Sequence, residues 1–102
     1  MNTLCATKQE KLDALRRRLA ERLPGIVAEL EAACREQLAA PADAVKLELA
    51  VRGSHTLAGT AGTYGYLELG QAARALELLL RAGTAAAGDV ETHLAQVRLR
   101  LP

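Results

Sequence analysis

The stretch Arg52–Gly65, RGSHTLAGTAGTYG, decides how this 102-residue chain is interpreted. It sets one histidine, His55, among four glycines and several other small residues, in a sequence otherwise typical of helix. Glycine in a helix interior costs roughly 0.5–1 kcal/mol relative to alanine. Folding alone therefore gives no reason for the cluster of Gly53, Gly59 and Gly62, and the question is what needs open space beside a histidine.

Composition and charge exclude several classes of function. Half of the residues are apolar, and 13 basic and 12 acidic groups leave a formal charge of +1. Because these charges are interspersed, we expect no nucleic-acid binding, and no apolar run is long enough for membrane insertion. The length suits a single domain over residues 1–102, too small for a deep catalytic cavity. The two cysteines, Cys5 and Cys34, fit a reducing cytoplasm.

The first part of the chain carries a helical stripe that a proline interrupts. A composition rich in alanine, leucine, glutamate and arginine, without Phe or Trp, favours an all-α fold. Because proline lacks an amide hydrogen but suits a first helical position, Pro24 predicts a short helix ending near Arg22 and a second over 24–38. A continuous, kinked helix is the alternative. The stripe comprises Leu12, Leu15, Leu19, Leu23, Ile26, Leu30 and Ala33.

Breaks farther along the chain predict three more helices. Pro41 and Asp43 favour a helix start, GTYGY over 62–66 forms a turn, Gly83 ends the next helix, and Asp89 is the expected N-cap of the last. Short loops between such helices predict an antiparallel up-down-up-down four-helix bundle with a short additional N-terminal helix. The predicted inward faces are Leu47, Ala50, Ser54, Leu57 and Ala61, then Leu69, Ala72, Ala73, Leu76, Leu79 and Leu80, then Val90, Leu94, Val97 and Leu101.

The helical periodicity also places the histidine. At 100° per residue His55 lies off the inward face of its helix, on the side that carries Arg52, Gly59 and Gly62. We therefore expect its ring to be at least partly exposed. His93, which has no glycines around it, is predicted to be an ordinary surface side chain.

The run SHTLAGTAGTYGYLELGQAARALE, Ser54–Glu77, resembles the histidine phosphotransfer (HPt) domains of bacterial two-component phosphorelays. The family pattern is a histidine, lysine and glycine at plus 3 and plus 4, a small hydroxyl residue, Ala-Gly, a turn, and a helix ending in A..LE. One departure is that Ala58 stands where the family usually has lysine. The matching positions are His55, Gly59, Thr60, Ala61, Gly62, Gly65 and Ala75, Leu76, Glu77.

The resemblance implies a phosphocarrier without kinase or ATP-binding activity of its own. His55 would exchange a phosphoryl group with aspartates of response-regulator receiver domains, since one nitrogen of a neutral imidazole can attack while the other carries the proton. Glu77 would orient the ring, as the acidic member of a serine-protease triad does. Its other interpretation is an ion pair with Arg74 or Arg81 on its own helix.

The same resemblance assigns partner-facing roles around the histidine. Gly59 and Gly62 would leave room for the receiver, and Thr60 would donate its hydroxyl to its own helix or to the phosphoryl group. Arg52, ranked ahead of Arg81, would replace the missing cation.

The implied partners are receiver domains and a hybrid sensor histidine kinase, and we expect a cytoplasmic monomer. No cofactor or metal is expected, because the histidines and cysteines are too far apart for a zinc site and no GxxxxGK phosphate loop occurs. The absence of lysine at Ala58 leaves a second hypothesis open. In it the chain is a pseudo-HPt module that docks on receivers or other signalling partners without being phosphorylated.

Overall fold

The computed structural model describes residues 7–102. Cys5 lies outside these residues. Within them the chain forms four α-helices and no strand, namely α1 (Lys8–Ala39), α2 (Ala44–Thr63), α3 (Leu67–Ala82) and α4 (Ala87–Leu99).

The four helices form an antiparallel bundle. Each connection is only three or four residues long, so consecutive helices must reverse direction and pack side by side. Each helix contacts its neighbours in the chain, and α4 closes the ring against α1. The predicted all-α bundle is confirmed. None of the described helices is both long and apolar enough to cross a membrane.

The predicted short leader helix is wrong, because α1 continues through Pro24. Proline inside a helix costs about 3 kcal/mol. Leu23 and Val27, on either side of Pro24, are completely buried, and burying each such side chain contributes about 1.5–3 kcal/mol. Since only a continuous helix keeps both on the core face, packing outweighs the cost of the proline, which lies on the exposed side.

The N-terminal turns of α1 extend past the rest of the bundle. Leu12 and Leu15, which the sequence stripe placed on the inner face, are 39% and 45% exposed, and the first buried residue of α1 is Leu19. Tyr66 marks the end of the bundle, where its hydroxyl donates to the carbonyl of Arg16 at 3.0 Å. Beyond that point no other helix of residues 7–102 covers these two leucines.

After α1, the helix ends follow the sequence signals with one exception. Asp43 caps α2 by accepting from the amides of Val45 and Lys46 at 3.0 and 3.3 Å. Gly83, with φ +73°, ends α3 in the left-handed conformation. Asp89 is not the N-cap of α4, because its own amide donates to the carbonyl of Ala86 and the helix begins three residues earlier than expected. It still lies in the first turn, where a carboxylate favours the helix dipole.

The core is aliphatic and takes one stripe from each helix. Ser54, the buried hydroxyl of the α2 stripe, donates to carbonyls of its own helix at 2.9–3.0 Å and so has a partner. Burial raises the pKa of the Cys34 thiol to about 11, so this thiol is neutral at pH 7. The buried apolar residues are Leu19, Leu23, Val27, Leu30, Cys34, Ala50, Leu57, Ala61, Leu69, Ala73, Leu76, Leu80, Val90, Leu94 and Val97.

Candidate functional site

The close approach of α2 and α3 sets the geometry of the site. The chain turns sharply at Gly65, whose φ of +85° is one that glycine adopts without strain. A Cβ at Gly70 of α3 would lie 3.2 Å from the carbonyl oxygen of Ala58 and 3.3 Å from the amide nitrogen of Gly62. Glycine therefore lets the two backbones come together here, and this contact fixes the register of the antiparallel pair.

This register brings Glu77 of α3 to His55 of α2. The imidazole Nδ1 lies 3.1 and 3.0 Å from the two carboxylate oxygens. The histidine side chain is 62% exposed, whereas the glutamate side chain is only 2% exposed. Because a carboxylate only accepts hydrogen bonds, Nδ1 carries the proton of the neutral ring and Nε2 keeps a free lone pair. A buried carboxylate thus fixes the tautomer of an exposed imidazole.

Two arginines of α3 also contact Glu77. The Nε of Arg81 donates to Oε2 at 2.8 Å, and a terminal nitrogen of Arg74 lies 3.5 Å from Oε1. Burial alone would raise the pKa of Glu77, but hydrogen bonds from Arg81 and His55 outweigh it and hold that pKa below its usual value. The carboxylate is therefore charged at neutral pH. The sequence offered two interpretations of Glu77, a contact with His55 and an ion pair with arginines of its own helix. Both sets of contacts occur together in the structure.

A shallow apolar groove of about 550 Å³, here the α2–α3 groove, runs beside the imidazole. Gly59 and Gly62 form part of its floor, and among residues 7–102 no atom beyond the adjoining residues and backbone of α2 lies within 4 Å of where their Cβ atoms would be. Internal packing therefore does not require glycine at either place. The groove is lined by His55, Ala58, Gly59, Gly62, Leu67, Gly70, Gln71, Arg74, Ala75 and Leu78.

Two of the predicted site residues lie elsewhere. Arg52 and Thr60 line a second groove of about 490 Å³, the α1–α2 groove, on the other flank of α2. The guanidinium of Arg52 is 3.6 Å from the carboxylate of Glu48, one turn earlier on the same helix. The structure thus brings together His55, Glu77 and Arg81 and separates Arg52 and Thr60 from them.

Sequence reasoning missed the close helix approach at Gly70 and the position of Arg74 in the groove beside His55. Both lie on one face of α3 with Glu77 and Arg81, at steps of three and four residues, so the sequence did contain the signal. What it lacked was the register that turns this face toward His55.

No group of three or more His, Cys, Asp or Glu side chains that could hold a metal ion occurs among residues 7–102. His93 has only a backbone partner within these residues, the carbonyl of Asp89 at 2.8 Å, and no carboxylate holds its ring.

Comparison with known proteins gives a family but no individual relative. No curated protein and no solved structure matches the chain. The family model described as the Hpt domain matches residues 12–101, which span all of α2, α3 and α4 and most of α1. HPt domains are phosphocarrier modules of two-component phosphorelays that interact with receiver domains and kinases. The match covers far more than half of the sequence, and the chain therefore belongs to the Hpt domain family.

Proposed function

We propose that this chain relays phosphoryl groups between response-regulator receiver domains, with His55 as the phosphoacceptor. The observation that carries the proposal is an imidazole 62% exposed to solvent whose Nδ1 is held by the buried carboxylate of Glu77. A histidine held in this way has one nitrogen committed to the protein and one free for a partner.

The transfer uses only groups that the histidine and its partner supply. The lone pair of Nε2 attacks the phosphorus of a receiver's aspartyl phosphate, a P–N bond forms, and the P–O bond breaks with its electrons going to the aspartate carboxylate. The imidazole keeps the Nδ1 proton and becomes positively charged. Glu77 accepts that hydrogen bond throughout and stabilises the cation without taking its proton, as in a serine-protease triad. The reverse reaction passes the phosphoryl group to the next receiver.

The α2–α3 groove supports the approach of a receiver. Gly59 and Gly62 carry no bulk beside the ring, and packing against the other helices does not require glycine at either position. Leu67 and Leu78 at its edges are 63% and 54% exposed. An apolar surface beside a reactive side chain suits a transient protein contact better than a small-molecule pocket, because it buries area without enclosing the site.

The test is transfer from receiver domains loaded with radiolabelled acetyl phosphate, taking each receiver of the source organism in turn. Wild-type protein should accept label as an acid-labile, base-stable adduct, and His55→Gln should accept none. His93→Gln is the matched control and should accept label at the wild-type rate. Label that persists on His55→Gln would assign the phosphoacceptor to another residue.

The second candidate is a module that docks on receivers without being phosphorylated, and Ala58 is the observation in its favour. The usual lysine at this position would stand one turn from the histidine, and its absence leaves the phosphoryl charge less well compensated. If wild-type protein binds a receiver but takes no label from any of them, the docking function replaces the relay.

A further inference from the structure

We propose that Arg74, on α3, supplies the positive charge that position 58 lacks on α2, by binding the phosphoryl group carried on Nε2 of His55. The proposal rests on the relay function proposed above and assigns a phosphate-binding residue to it.

The helix register places Arg74 level with the missing lysine. On α3, Gly70 lies against Ala58 and Gly62, and Glu77 lies against His55. Arg74 comes one turn after Gly70 and one turn before Glu77, so it falls between these two contacts. Because the helices are antiparallel, this is the level between Ala58 and His55, where a lysine at position 58 would extend. Both Ala58 and Arg74 line the α2–α3 groove.

Of the two arginines near Glu77, Arg74 is the more weakly held, although both side chains are more than half exposed, at 59% for Arg74 and 54% for Arg81. The Nε of Arg81 is 2.8 Å from the carboxylate, a short charge-assisted hydrogen bond that fixes the side chain. The nearest nitrogen of Arg74 is 3.5 Å away, which is long for a hydrogen bond, and its side chain is 59% exposed. Arg81 therefore positions Glu77, while Arg74 keeps its donors available.

The charges of the site favour a cation at the phosphoryl group. Before transfer, two guanidinium groups and one carboxylate lie beside the attacking imidazole. A phosphoryl group adds roughly −1.5 to −2 charges at pH 7. A nitrogen of Arg74 lies 3.5 Å from Oε1 of Glu77, and Nδ1 of His55 lies 3.1 Å from the same oxygen. The guanidinium and the imidazole are therefore neighbours of one carboxylate oxygen. Rotation of this exposed side chain from Glu77 to the phosphoryl oxygens would give a bidentate contact.

The experiment measures phosphorylation of the full chain by two donors. One is the receiver that transfers fastest to the wild type. The other is phosphoramidate, from which Nε2 attack on phosphorus displaces ammonia without any protein docking. Arg74→Gln should slow phosphorylation about tenfold with both donors, since it removes a charge-assisted contact to the transferred group. Arg52→Gln is the matched control, because Arg52 lines the α1–α2 groove and pairs with Glu48 of its own helix, and it should stay within about twofold of the wild type.

A second substitution separates the loss of charge from a loss of structure. Adding Ala58→Lys to Arg74→Gln should restore the rate to within about threefold of the wild type, because it returns a cation to the same level of the groove from the other helix. Unchanged thermal unfolding of each variant excludes misfolding as the cause.

Three outcomes would overturn the assignment of Arg74. The first is an Arg74→Gln rate within about twofold of the wild type. The second is an Arg74→Gln rate that is slow with the receiver but normal with phosphoramidate, which would make Arg74 a docking contact. The third is a double variant that is as slow as Arg74→Gln alone. If wild-type protein takes label from neither donor, the relay function itself fails. If the wild type accepts the phosphoryl group and Arg74→Gln accepts it at the same rate, only the assignment of Arg74 fails and the relay function stands.

Discussion

The α1–α2 groove and the α2–α3 groove run along two flanks of one helix and have similar volumes, about 490 and 550 Å³. Both are mainly aliphatic, and each has an arginine and a glycine of close helix approach on its lining, Arg52 and Gly53 in one and Arg74 and Gly70 in the other. Only the α2–α3 groove contains a histidine held by a buried carboxylate. An apolar groove with a cation is therefore not distinctive on this protein, and the imidazole held by Glu77 is what sets one groove apart.

The two grooves also show that closeness along one helix does not decide which residues share a groove. Arg52 is one turn from His55 in sequence, yet it lines the other groove and pairs with Glu48. Arg74 is 19 residues away in the sequence and shares the groove with the histidine. Since each groove is formed by two helices, the partner helix decides which residues meet.

The strongest test of the difference between the grooves is to introduce the same bulky side chain into each of them. Gly59→Gln should slow transfer from a receiver roughly 100-fold, because a side chain one turn from His55 would hold the receiver away from the imidazole. Its stability should be unchanged or raised by about 0.5–1 kcal/mol, since among the described residues the new Cβ would meet no atom outside its own stretch of helix within 4 Å. Single-turnover transfer and urea unfolding measure the two effects.

Thr56→Gln introduces the same side chain into the α1–α2 groove and is the matched control. It should transfer at the wild-type rate. Equal slowing by both substitutions would mean that the receiver covers both grooves. Normal transfer by Gly59→Gln would show that the open space at position 59 serves no docking partner.

A second comparison uses the two glycines at which α2 meets its neighbours. Gly70→Ala should lower the free energy of unfolding by about 1–2 kcal/mol, because its Cβ would press on backbone atoms of Ala58 and Gly62 that cannot move independently. Gly53→Ala should change it by less than about 0.5 kcal/mol. Its Cβ would meet only the flexible end of Leu30 at 3.2 Å, and the gain in helix propensity offsets that contact.

Urea unfolding of both variants gives these differences directly. A Gly70→Ala protein as stable as the wild type would show that the α2–α3 contact can loosen without cost, and the register argument for Arg74 would lose its basis.

The smallest expected effects on stability come from replacing the glutamates that lie beside the arginines of the two grooves, Glu77 beside Arg74 and Glu48 beside Arg52. Glu77→Gln should lower stability at pH 7 by about 1 kcal/mol, because it removes a buried charge that accepts from His55 and Arg81 and lies near Arg74. The folded-state pKa of Glu77 is lowered, so this contribution is complete above the ordinary pKa of 4.5 and is lost as the pH falls through the lower folded-state value. The difference between wild type and variant should therefore narrow in acid.

Glu48→Gln removes the carboxylate that pairs with Arg52, where both side chains are well exposed, and should cost no more than a few tenths of a kcal/mol. Denaturant unfolding over a range of pH measures both variants. A Glu77→Gln deficit that does not change with pH would contradict the assigned charge of that carboxyl.

Much of the fold could be predicted from the sequence because helical periodicity is local. The steps of three and four residues identified the inner faces of α2, α3 and α4, and glycine and Asp43 marked helix ends correctly. The errors fall where distant residues decide. Pro24 stays within α1 because Leu23 and Val27 are buried by other helices, and Leu12 and Leu15 are exposed because no neighbouring helix reaches them.

For the site, the sequence by itself determined that His55 would face outward from α2 beside glycines, since both follow from 100° per residue along one helix. Only the tertiary structure decided that Glu77 reaches Nδ1, that Arg74 shares its groove, and that Arg52 and Thr60 lie on the other flank. These depend on the register and packing of separate helices, which Gly70 and the short turn at Gly65 set through contacts that no single-helix pattern contains.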